Sequence, residues 1–170
     1  MQTEQEKPKT IRRLVKLDIL AETDPSPDLS WLGEYSNTPG PPDKTIDRQE
    51  RGDMRRNEFR YFIAANSAAQ TGNPESVLQD YKRMEELTYG SLSVYCVSVR
   101  AVIDSARVRS WFCFHLDSST CGGIESDNGE EYIRQIGGEQ IEDIRPELND
   151  LGFTDDTINE ALKIALIVYR

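Results

Sequence analysis

The longest regular pattern in this chain is a two-residue alternation from Leu92 to Ile103. Ser93, Tyr95, Val97, Val99, Ala101 and Ile103 fall on one side; Leu92, Val94, Cys96, Ser98, Arg100 and Val102 fall on the other. Helical spacing gathers neither set onto one face, so the stretch reads as a strand. A second alternation, Arg109–Leu116, sets Phe112, Phe114 and Leu116 against Trp111, Cys113 and His115. Asp104–Val108 is long enough to join the two as a hairpin. Any fold of this chain is therefore built on an antiparallel pair. Neither of its faces is wholly polar, which predicts partial cover on both.

The remaining elements group around that hairpin. Leu14, Val15, Leu17, Ile19 and Leu20 mark an opening strand over Arg13–Leu20. From Glu22 to about Arg56 the chain carries Pro25, Pro27 and the run Thr38-Pro39-Gly40-Pro41-Pro42. Missing amide donors and loosened φ angles predict a long loop wrapped over the sheet. A short helical turn within it would be pinned by Leu29, Trp31, Leu32 and Tyr35. Asn57–Ile63 reads as a short strand or the end of the wrap. Asn73 caps a helix that Pro74 opens, with Val77, Leu78, Tyr81, Met84 and Leu87 as its stripe and Gly90 as its stop.

Gly122-Gly123 reads as the end of the sheet, and Asp127 with Glu130 as the capping box of a helix bearing Tyr132, Ile133 and Ile136. Gly137-Gly138 and Pro146 predict an interruption or kink before a further helical stretch carrying Ile141, Ile144, Leu148 and Leu151. A final helix from about Asp155 would carry Ile158, Leu162, Ala165 and Leu166, its stripe widened by Ile164, Ile167, Val168 and Tyr169. The expected fold is α+β, a small antiparallel sheet of about three to four strands packed by helices, with a long N-terminal wrapping loop. One domain is expected over 11–170, behind a disordered tail at 1–10.

Charge is laid down unevenly. The last sixty residues, from Trp111, hold thirteen acidic and four basic side chains, a formal −9 of the chain's −10. A surface of that sign repels phosphate backbones and is drawn to the basic clefts that hold them. Direct nucleic-acid binding is accordingly not expected. The arginines Arg48, Arg51, Arg55, Arg56 and Arg60 are interspersed with Glu50, Asp53 and Glu58, and read as a salt-bridged or solvated surface. No run of 18 apolar residues exists to span a membrane, and Met1–Thr10 lacks the apolar core of an export signal. Three cysteines, Cys96, Cys113 and Cys121, suit a reducing cytoplasm better than a disulfide framework.

Catalytic and cofactor motifs were sought. Cys113, His115 and Cys121 lack the four-ligand spacing of a structural zinc site, and side chains two apart on a strand lie about 6.5 Å from each other. Gly122-Gly123-Ile124-Glu125-Ser126-Asp127 matches neither GxxxxGK[ST] nor GxGxxG. No metal or cofactor is expected, and no catalytic residue is assigned. The like-charged carboxylates Glu139, Glu142 and Asp143 share one helix face, at a mild electrostatic cost.

Several segments carry a resemblance. Pro27-Asp28-Leu29-Ser30-Trp31-Leu32-Gly33-Glu34-Tyr35-Ser36, Asn57–Tyr61, Gln79-Asp80-Tyr81-Lys82-Arg83-Met84-Glu85 and Gly122–Asp127, with Glu147-Leu148 and Leu151-Gly152-Phe153, resemble a group of uncharacterised proteins of bacterial genomes, phages and plasmids. The resemblance implies a mobile-element setting and carries no activity over to any residue. The expectation is an acidic, non-enzymatic interaction protein of the cytoplasm. Its carboxylates between Glu125 and Glu160, namely Glu130, Glu131, Glu139, Glu142, Asp143, Asp150, Asp155 and Asp156, would dock on the basic, nucleic-acid-binding surface of a host defence complex of the CRISPR or restriction type. The alternative expectation is an accessory protein that binds a small ligand or partner through residues 22–60, using Trp31, Tyr35, Arg51, Arg55 and Arg56.

Overall fold

A computed structural model describes residues 10–55, 58–107 and 110–170. Apart from Thr10, the expected tail lies outside these residues. The chain divides into two compact units, residues 1–24 with 94–170, and residues 25–93.

In the first unit, β1 (Ile11–Thr23), β5 (Val94–Arg107), β6 (Ser110–Asp117), β7 (Cys121–Glu125) and β8 (Leu166–Tyr169) form one five-stranded sheet. β5 runs antiparallel to β1 along nearly its whole length. On its other edge β5 holds β6 and then β7, both antiparallel. β8 lies parallel to β1, with Asp18 opposite Leu166 and Ala21 opposite Tyr169. One face of this sheet is covered by α4 (Gly129–Asp150) and α5 (Asp155–Lys163). Leu17, Ile19, Val97, Val99, Ala101 and Ile103 are buried there with Ile133, Ile136, Ile141, Ile144, Leu148 and Ile158.

The second unit is inserted between β1 and β5. Within the first unit, the residues flanking the insertion are joined by the Asp24 amide, which donates to the Val94 carbonyl at 2.8 Å. The second unit contains β2 (Gly33–Ser36), β3 (Thr45–Asp47), α1 (Arg48–Arg51), β4 (Tyr61–Ala64), α2 (Ala68–Thr71) and α3 (Ser76–Thr88). The three strands form an antiparallel sheet in the order β2-β4-β3. Leu32, Phe62, Ala64, Tyr81 and Met84 make its core.

The expected small antiparallel sheet is thus corrected. Among the described residues there is a mixed five-stranded sheet and a separate three-stranded one, with five α-helices. The wrapping loop is corrected with it, because strands and a capped helical turn occupy 33–51. Short strands between proline clusters carry too few residues for alternation to register. β7 runs through Gly122-Gly123, taken above as the end of the sheet, and Gly123 accommodates an irregular register with φ +78°. The run Leu166–Tyr169 fits a helical stripe and a buried strand equally well, and its pairing with β1 decides for the strand.

α4 is continuous where an interruption was expected. Gly137 is a point of close approach: a Cβ there would lie 2.8 Å from Ile19 Cδ1. The buried stripe on both sides of Pro146 holds the helix together despite the lost donor. The Asp127–Glu130 capping box does not form, since a 3₁₀ turn at Ser126–Asn128 precedes Gly129. α3 starts at Ser76; Asn73 Oδ1 accepts from the Glu75 amide one step earlier.

Candidate functional site

The eight candidate acidic residues lie exposed on α4 and α5. At 100° per residue, Glu131, Glu139, Glu142, Asp143 and Asp150 of α4 fall within an arc of about 120°. The buried Ile133, Ile141, Ile144 and Leu148 project from the opposite side, and buried Ile136 borders the arc beside Asp143. All five carboxylates are exposed, as are Glu130 in the first turn of α4 and Asp155 and Asp156 in the first turn of α5.

Part of this charge is held internally. Arg145 contacts Glu142 at 2.7 Å and Asp155 at 3.3 Å, and so draws the two helices' carboxylates toward one guanidinium. Asp143 accepts from the Ser119 hydroxyl, and Glu139 from Gln135 at 3.2 Å. Lys163 neutralises Glu160 at 2.6 Å. The four basic residues of the last sixty are already counted in the −9, so a strong negative field remains after this pairing.

The second cluster, within residues 25–93, is centred on Arg48, whose exposure is 1%. Local chemistry fixes its place. β3 ends at Asp47, whose carboxylate caps α1 by accepting from the Gln49 and Glu50 amides, and Gly52 closes the turn at φ +77°. Arg60 then clamps Asp47 at 2.6 Å. α3 supplies Tyr81 and Glu85 one turn apart, with Tyr89 one turn further at its C-terminal cap. Arg48 donates to the Phe59 carbonyl (2.8 Å), Glu58 (2.9 Å), Tyr89 (3.2 Å) and more weakly Tyr81 (3.5 Å). Glu85 lies 3.0 Å away, and the Tyr35 ring stacks at 4.7 Å from the guanidinium carbon. Tyr35 donates to Glu85 at 2.6 Å, Tyr81 to Asp53 at 3.2 Å, and Tyr89 to Glu58.

The ionisation of these groups follows. Burial pulls the Arg48 guanidinium down, but its bonds to Tyr81 and Tyr89 and the Glu85 charge outweigh that and hold it above its ordinary value. Burial, then the bond to Glu85, pushes Tyr35 well above the ordinary phenol range. Burial likewise raises Tyr81 and Tyr89. The Tyr89 hydroxyl holds Glu58 below the usual carboxylate range. Beside the cluster lies an open groove of about 450 Å³, lined by Arg51, Arg55, Lys82, Asp53, Tyr81 and Glu85 among others. Arg51 pairs with Asp53 at 2.9 Å, and Arg55 stacks 3.7 Å over the Tyr89 ring.

Of the residues named from sequence for the alternative site, Arg51 and Arg55 meet at this groove. Tyr35 is committed to Arg48 and Glu85. Trp31 is 54% exposed and does not line the groove. Arg56 lies outside the described residues. Arg48, expected with the other four arginines on a salt-bridged or solvated surface, is salt-bridged to Glu58 and Glu85 but buried, and its surface placement is corrected here. Tyr81, Glu85 and Tyr89, spaced by four, were the available sign that α3 presents a polar aromatic face. Among the described residues, no three His, Cys, Asp or Glu side chains gather as metal ligands, and no helix is long and apolar enough to cross a membrane. Cys96 and Cys121 are half-buried on β5 and β7, and Cys113 is exposed on β6. No protein family, curated protein or solved structure matches the chain.

Proposed function

We propose that this is a non-enzymatic interaction protein that works in the cytoplasm by laying the acidic face of α4 against a basic, nucleic-acid-binding surface of another protein. The observation that carries the reading is the arc of Glu131, Glu139, Glu142, Asp143 and Asp150, exposed and opposite the core stripe. Exposed carboxylates attract the same cationic side chains that hold phosphates, so the face competes with nucleic acid for them. Inhibition would follow from occupancy alone. The resemblance noted above suggests the setting, a mobile element acting on a host defence complex of the CRISPR or restriction type.

The test compares immobilised wild-type chain with Glu139→Lys/Glu142→Lys/Asp143→Lys in extract from a bacterial host. Expected are nucleic-acid-binding proteins retained by the wild type, released by salt or by added duplex DNA, and missing with the triple variant. Equal retention by that variant at low salt would overturn the reading.

A second reading rests on the groove beside Arg51, Arg55 and Lys82, whose mixed charges suit a small polar ligand or a partner's side chains. It predicts binding that Arg51→Ala/Arg55→Ala abolishes and that the α4 variant leaves intact.

A further inference from the structure

β6 is the outer strand of its sheet. β5 takes one edge, and among the described residues no strand takes the other. Six of its eight residues are exposed, with Trp111 at 65% and Phe112 at 51%. Such edges are ordinarily blunted by lysine, proline or a bulge. Here Ser110–Asp117 contains no lysine, arginine, glutamate or proline, and its register with β5 is unbroken. Its single charge, Asp117, sits at the very end and is held by Arg100 at 2.7 Å. An unprotected, aromatic strand edge of this length is a template for another strand.

The charge pattern selects the occupant. Two molecules carrying −10 each repel over most of their surfaces. The exposed carboxylates of α4 and α5 are absent from β6, whose residues 110–116 carry no acidic or basic side chain except His115, so two copies meet there without setting like charges face to face. We infer that β6 pairs antiparallel with β6 of a second copy about a two-fold axis, joining the two sheets into one. Opposed residues in an antiparallel pair must point to the same face, so the register is even. Centring on Cys113 sets Cys113 against its own copy, Phe112 against Phe114 and Trp111 against His115. This register leaves Asp117 beyond the paired segment, and it forms aromatic cross-strand pairs on both faces. The exposed parts of Trp111 and Phe112 amount to roughly 250 Å² per copy. That is well under the ~800 Å² per partner of a standard interface, so the dimer dissociates on dilution.

Sedimentation of the full chain over a concentration series tests this. The mass should rise from 19.4 kDa toward twice that value. Trp111→Lys/Cys113→Lys, two exposed sites, should keep its circular dichroism and raise the dissociation constant by at least about tenfold through like-charge apposition. Trp111→Lys alone should lie between. A short bismaleimide should link wild-type pairs covalently and fail with Cys113→Ser, whose mass series stays dimeric. A 19.4 kDa species at every concentration, or a dimer that survives the double-lysine variant, overturns the proposal. None of these readouts involves a basic partner, so they stand apart from the test of the acidic face.

Discussion

Arg48 Nη2 lies 3.0 Å from Glu85 Oε1, with the arginine side chain 2% exposed and the glutamate 22%. An arginine this deeply placed is kept charged by its neighbours, and they in turn are arranged around its charge. Replacing it by methionine strands Glu58 and Glu85 with no cation between them. Arg48→Met should cost about 3–5 kcal/mol in denaturant unfolding. Adding Glu85→Gln to that variant should recover part of the loss, because the stranded charge goes with it.

The same cluster predicts how stability depends on pH. Tyr35, Tyr81 and Tyr89 have folded pKa values raised above the ordinary 10.0. A raised value means that the unfolded chain loses its protons first, so their contribution is complete below about pH 10 and drains away as pH climbs through the folded values. Alkaline unfolding should therefore begin above about pH 10 and coincide with the rise of tyrosinate absorbance. Tyr35→Phe should flatten this limb.

On the acid side the sign reverses. Asp47, Glu58 and Asp117 are held below their ordinary values, chiefly by Arg60, the Tyr89 hydroxyl and Arg100 respectively. Their contribution is present above the unfolded carboxylate range, near pH 4, and is lost as pH falls through the depressed folded values. Arg60→Gln should move the acid-unfolding midpoint upward.

Two adjacent glycines in α4 should respond oppositely to alanine. Gly137→Ala brings a methyl group to 2.8 Å from Ile19 Cδ1. Overpacking of about 1–3 kcal/mol then outweighs a helix-propensity gain of about 1 kcal/mol, and the protein is destabilised. At Gly138 an added Cβ meets nothing within 4 Å. Gly138→Ala should stabilise by up to about 1 kcal/mol. Thermal unfolding of the two variants side by side is the measurement.

Residues 25–93 enter and leave through the Asp24–Val94 hydrogen bond at 2.8 Å. Substituting a short hairpin turn for them should leave a folded five-stranded sheet with α4 and α5. Dispersed amide resonances in the shortened chain would verify it, and a collapsed spectrum would count against it.

Long alternations were legible directly. β1 and the β5–β6 pairing follow from the period-two pattern, although Asp104–Arg107, expected in the connection, continue β5; α3 follows from its stripe of Val77, Leu78, Tyr81 and Met84. What escaped was decided by tertiary contact. Gly122-Gly123 is a break on local grounds but a strand when β5 offers its edge. Leu166–Tyr169 is helical or extended by periodicity, and only β1 settles which. Gly137 looks like a flaw in α4 until Ile19 is beneath it. The exposed carboxylates could be placed on helices from sequence, whereas burial of Arg48 required partners gathered from Tyr35, Glu58, Glu85 and Tyr89.

The pairing of β8 with β1 has a consequence for biosynthesis. β1 leaves the ribosome well before its partner at Leu166–Tyr169, so this β1 edge stays open while every element between them is made. Contacts so distant in sequence close slowly. The nascent chain must keep the strand edge Asp18–Ala21 from pairing elsewhere until Leu166–Tyr169 is made.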